Sequence, residues 1–283
     1  LMRLPAHPRL FALTFALTFA WSADAGAVRP FVTDDARIID RGQLETENWL
    51  EFTRGHGRWH RSFNVMGGVS FNEWAEIIVG GGVAFDGRRD IGLINPVIQP
   101  KFLLLRAEDD GVPGISLATG VTLPVGLGPV YDRVTGWYVI APFTSRLFDD
   151  WLLVHVNLGV RGAVYEDRST SLDPYWGVGF DLGVATQETR IVAEAYAGDP
   201  LEPLGPRIAG QGGFRWLPTD YVNLDLTFGG QPALDEAGRR TGRPEIWGQL
   251  GVRLLFDLFT RDGRPGDPMG ARGLFRRRKY KGS

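Results

Sequence analysis

His60 and Ser62 form the pair in this chain best placed to do covalent chemistry. They stand two apart in an extended stretch, where residues i and i+2 share a face, so imidazole and hydroxyl lie side by side as a base and nucleophile would. The same stretch argues against that use. Trp59, Phe63, Val65, Val69 and Phe71 claim one face, while Arg58, His60, Ser62 and Asn64 claim the other. No third residue to orient the imidazole and no oxyanion-binding feature accompany the pair, and a hydrolytic centre needs both. His155 and Asn157 share a face in the same way, but two side chains do not make a metal site. The run Gly80-Gly81-Gly82 lies mid-strand with no helix after it, which predicts a bend or a close strand approach rather than a phosphate loop. No catalytic residue, metal or cofactor is assigned. With no cysteine in the chain, disulfides and thiolate metal sites drop out as well.

The elements that carry these residues are strands. The period of two seen over 58–71 recurs at 43–54, 74–85, 94–105, 114–124, 135–147, 151–162, 175–185, 190–197, 207–216, 221–229 and 245–256. Each is about the ten residues a tilted strand needs to cross a bilayer. The fold class this predicts is all-β: an antiparallel transmembrane β-barrel of about 12 strands, occupying 43–256. Short turns at 72–73, 148–150, 186–189 and 217–220 alternate with longer connections at 86–93, 125–134, 163–174, 198–206 and 230–244. Two connections, 55–57 and 106–113, break the alternation. Short turns facing the periplasm would put both chain ends there. Trp49, Trp59, Trp74, Trp137, Trp151, Trp176, Trp216 and Trp247 lie near strand ends, where interfacial girdles are expected.

With the apolar faces turned outward, the charged residues collect inside. Glu45, Glu47, Glu51, Arg58, His60, Glu76, Lys101, His155 and Arg161 then line a candidate solute path. Asp181, Glu194, Arg215, Asp225 and Arg253 alternate in sign from strand to strand and are expected to form a salt-bridge network. Balanced signs make a poor selectivity filter, so the acidic row Glu45, Glu47, Glu51 is the stronger source of a field felt by a solute.

The ends bound the compartment. Arg3 and Arg9, an apolar run over 10–21 and Ala23-Asp24-Ala25 make a secretory signal peptide over 1–25, with cleavage after Ala27 as the alternative. Residues 26–42 are too polar to be embedded and are expected in the periplasm or in the barrel mouth as a short plug. The stretch 257–283 is rich in Gly, Pro and Arg and ends on Arg276-Arg277-Arg278-Lys279, a flexible basic tail. A net charge of −2 gives no case for nucleic acid.

The segment Arg29-Pro30-Phe31-Val32-Thr33-Asp34-Asp35-Ala36-Arg37, with Gly42-Gln43-Leu44-Glu45 after it, resembles the mature start of a family of outer-membrane transporters grouped with the "MetA pathway of phenol degradation" proteins. Gly213-Phe214-Arg215-Trp216 and Asn223-Leu224-Asp225-Leu226-Thr227 are similar to that family's closing strands. The resemblance implies an outer-membrane barrel passing small, hydrophobic or aromatic solutes, with lipid and the barrel-assembly machinery as partners. It supplies no catalytic motif. Separately, His60 and Ser62 resemble the His-x-Ser pair of outer-membrane phospholipase A, but that family turns the pair toward lipid, and here it turns inward. A lipid-modifying hydrolase and a plugged scaffold barrel are the competing expectations.

Overall fold

The computed structural model describes residues 31–55, 58–85, 91–108, 111–128, 133–199, 208–219, 221–232, 242 and 244–258. The expected signal peptide and the residues of the expected basic tail from 259 onward lie outside them, as does the Arg58 side chain. Twelve strands close into one antiparallel barrel in sequence order, with the last hydrogen-bonded to the first. They are β1 (Gln43–Gly55), β2 (Arg58–Ser70), β3 (Ala75–Phe85), β4 (Ile91–Leu105), β5 (Gly114–Thr122), β6 (Thr135–Leu147), β7 (Leu152–Val164), β8 (Thr170–Val184), β9 (Thr186–Ala197), β10 (Ile208–Thr219), β11 (Val222–Gln231) and β12 (Glu245–Asp257). Closure leaves no unpaired strand edge, the condition for a sheet in lipid.

Alternation along each strand sorts the side chains. Leu50, Phe63, Val79, Ile98, Leu117, Val139, Leu158, Val178, Ile191, Phe214, Leu226 and Leu250 are exposed on the outer face, one from every strand. A soluble protein does not leave such a ring in water. The inner positions between them carry the charged and amide side chains, almost all buried.

Two strands, β8 and β9, depart furthest from the expected bounds. β8 starts at Thr170, because Ser171, Leu172 and Asp173 continue the ladder opposite Ala163, Gly162 and Arg161. The turn expected over 186–189 is instead a tight reversal at Ala185 (φ 63°), and pairing resumes at once between Val184 and Thr186. Polar residues that read as a turn are an exposed strand end.

Trp49 and Trp247 correct the girdle expectation. Trp49 is 6% exposed and faces the lumen, and Trp247 projects inward beside it, donating from Nε1 to Gln211 Oε1 at 2.9 Å. Trp59, Trp74, Trp151, Trp176 and Trp216 are exposed on the outer face.

The triple glycine is a place of close approach. The β3–β4 register shifts between Gly80 and Gly82, and a Cβ on Gly82 would stand 2.5 Å from Asn64 Oδ1 and 2.9 Å from the Phe63 carbonyl oxygen. Backbone cannot yield as a flexible side chain can. Gly82→Val should therefore destabilise the barrel by about 1–3 kcal/mol, measured as a lowered urea midpoint in detergent micelles.

Candidate functional site: the occupied lumen

Residues 31–42 do not hang outside the barrel. They enter at the end bearing the short turns, where Gly42 N donates to the Ser70 carbonyl at 3.1 Å, and run up the inside. Phe31, Val32, Thr33, Asp35, Ala36 and Ile39 are all buried. This segment has no strand partner, so the barrel's side chains supply one. Ile39 N donates to Glu76 Oε2 (2.8 Å) and Ala36 N to Thr144 Oγ1 (2.8 Å). Asp34 exchanges two bonds with Asn157: its N–H to Oδ1 and its carbonyl from Nδ2, each 2.7 Å. Glu194 takes both Val32 N (2.8 Å) and Thr33 N (2.7 Å), one on each oxygen, and Tyr175 Oη donates to the Val32 carbonyl at 3.0 Å.

Charge pairing fixes the middle of the segment. Lys101, 2% exposed, places Nζ 2.9 Å from Asp34 Oδ1, 3.7 Å from Asp35 Oδ1 and 3.8 Å from Glu76 Oε1. Arg37 reaches Asp35 Oδ2 at 3.0 Å. Burial alone would raise the Asp35 carboxyl, but Arg37 and Lys101 outweigh it and hold it well below the usual carboxylate range. Room is provided by glycines: a Cβ on Gly177 would stand 2.6 Å from Thr33 Oγ1, and one on Gly68 2.8 Å from Ile39 Cδ1.

Beside the plug runs the charged network of the wall. Arg215 bridges Asp225 (2.7 Å) and Asp181 (2.9 Å), and its guanidinium lies 5.5 Å from the Phe31 ring centroid. Arg190, not assigned from sequence, completes the group on Asp181. Arg253 pairs with Glu45 across the β1–β12 closure. Glu194 corrects the expected network. Among the described residues its carboxylate is shared between the plug's N–H groups and Gln211 Nε2 (2.6 Å), and no ion pair is formed.

The expected solute path divides in two. Glu45, Glu47, Glu76, Lys101 and His155 are buried at plug level. His155 faces Thr144 at 3.0 Å from Nδ1, and among the described residues neither Glu47 oxygen has a hydrogen-bond partner. Glu51 and Arg161 belong to the other half, where the loop end of the lumen opens into a cavity of about 160 Å³ floored by Val32. His60 is half-buried on the inner face, and Ser62 Oγ accepts from Asn64 Nδ2 at 2.8 Å.

Fold and site together define a closed β-barrel whose lumen is occupied by its own N-terminal segment. The chain belongs to the family described as "Uncharacterised conserved protein UCP029691", whose model matches residues 13–247. No curated protein sequence matches it. Among solved structures it is similar to the COG4313 outer membrane channel from Pseudomonas putida F1, with a TM-score of 0.57, 8% identity, and coverage of 78% of this chain and 98% of that one. The KdgM porin in complex with disordered oligogalacturonate has a TM-score of 0.50 at 8% identity, covering 74% and 98%. At these identities the likeness establishes the barrel fold.

Because the chain lacks cysteine, Ala36→Cys gives a single reporter inside the plug. Maleimide labelling of the folded barrel should be slow, and adding Glu194→Ala or Gly177→Val should speed it by about tenfold or more, as losing a buried charge-assisted pair costs about 1.5–3 kcal/mol.

Proposed function

We propose that this chain is an outer-membrane channel for small solutes, closed at rest by residues 31–42. The observation that carries the reading is the plug's mode of attachment. Its backbone is held by hydrogen bonds and ion pairs, from Glu76, Lys101, Thr144, Asn157 and Glu194, which water can replace when the segment leaves. The complete apolar ring on the outside supports a location in lipid, and only the outer membrane holds such barrels in bacteria. Insertion there requires the barrel-assembly machinery. Phe256, near the end of β12, is the aromatic residue offered to it.

Small hydrophobic or aromatic compounds are the proposed cargo. The resemblance to the phenol-degradation grouping supports this, as do Trp49, Met66, Val97 and Trp247 on the cavity wall. With the segment gone, Glu45, Glu47 and Lys101 would join Glu51 and Arg161 along the path. A hydrolase is disfavoured because Ser62 faces the lumen, bonded to Asn64, rather than the lipid. Ser62→Ala should leave any esterase background of the purified barrel unchanged.

Conductance in planar bilayers tests the channel. The full chain should give small or rare openings, and a chain lacking 31–40 should give steady current several-fold larger. Equal currents would rule out plugging, and silence from both would favour a scaffold barrel.

A further inference from the structure

We infer that the loop-side cavity is a binding site for a small organic cation that carries an aromatic ring, a deepening that rests on the reading of the lumen as a solute path. Its centre is Glu51. On the inner face of β1, Trp49 lies one inward position below Glu51, and across the β1–β12 ladder Glu51 stands opposite Gln249, with Trp247 one inward position further toward the loops. A carboxylate is thus set between two indoles, all three on the wall of one cavity.

The carboxylate is held by neutral donors. Thr53 Oγ1 donates to Oε1 and Gln249 Nε2 to Oε2, each at 2.6 Å, so both oxygens are fixed by neutral donors. Among the described residues no cation pairs with it. Glu51 differs in this from Glu45, which Arg253 engages, and from Glu76, which sits beside Lys101. Among the described lining residues the cation is Arg161, which is 3% exposed and donates to the Asp199 carbonyl at 3.1 Å, so its charge lies against the wall.

The indoles complete the recognition. Trp247 is oriented by its bond to Gln211, and Trp49 is packed into the barrel core, so neither ring must be ordered when a ligand arrives. An ammonium group beside an indole face is attracted by the ring's quadrupole, and tryptophan is the strongest such partner. The volume of about 160 Å³ is close to that of an apolar cavity known to hold benzene, about 150 Å³. The site therefore matches a single ring bearing one positive charge. A carboxylate-bearing analogue would meet Glu51 with like charge.

Benzylammonium, benzyl alcohol and benzoate share one ring and differ in charge, and their binding to the full chain in detergent micelles can be measured by calorimetry. Benzylammonium should bind, with the alcohol and benzoate weaker by about tenfold or more, the factor that about 1.4 kcal/mol represents. Glu51→Gln should abolish that preference, and Trp247→Leu should weaken the cation alone by a similar factor, in barrels whose heat-modified electrophoretic shift shows them folded. Equal binding of cation and alcohol, or an unchanged preference in Glu51→Gln, would overturn the inference. Conductance keeps the two readings apart: current without cation binding overturns this inference alone. Cation binding with no current even after removal of 31–40 overturns the channel alone and leaves the site standing.

Discussion

A peptide segment inside a closed barrel has no neighbouring strand, so side chains must meet the polar groups of its backbone. Leaving buried N–H groups bare would cost about 1–3 kcal/mol each. That constraint explains the inner wall. Glu194, Asn157, Thr144 and Glu76 come from β9, β7, β6 and β3, and each presents an acceptor at the height where a plug N–H arrives. Removing the segment would leave Glu194 and Glu76 as carboxylates facing an empty lumen. Barrel and plug are therefore one polar network.

The lumen charges have two different jobs, and their neighbours decide which. Where cation and anion lie on adjacent strands, as Arg215 and Asp225 or Arg253 and Glu45, the pair closes wall to wall and stiffens the barrel. Lys101 instead reaches inward to Asp34, so its charge holds the segment. Buried pairs of this kind add little net stability against an apolar wall, because desolvation offsets the attraction. Their value lies in fixing where the segment sits.

Much of this was legible in the sequence because the barrel's two faces obey a period of two. That period located all twelve strands and sent Arg215, Asp225 and Arg253 inward, since one misplaced residue would invert a whole face. It also contained the answer it seemed to contradict. Trp49 shares parity with Glu45, Glu47 and Glu51, so alternation puts it in the lumen, whatever its distance from a strand end. Arg190 escaped because polar residues before it resembled a turn. The partner of Glu194 could not be read from the wall at all. A backbone N–H carries no sequence signature, and local patterns do not show where a segment without periodicity comes to rest. The doublet Asp34-Asp35 was the available signal: two acids in a stretch leading into a barrel with an inward lysine, Lys101.

The described segment, residues 31–42, occupies the lower level of the lumen. It rises from the turn end and reaches Val32 level with Glu194, three residues short of the loop end of β9. Below that level, ion pairs and plug fill the interior. Above it the same inward positions carry Trp49, Trp247, Asn64, Asn95 and Gln249 around a cavity. At plug level Glu45 and Asp181 are met by arginines and Glu76 and Glu194 by the segment, whereas Glu51 is met by a hydroxyl and an amide. A solute arriving from the loop side thus encounters the acidic, indole-lined half before it reaches the polar contacts that keep the lower half shut. In the proposed reading, recognition around Glu51 and closure around Glu194 and Lys101 are stacked along one axis.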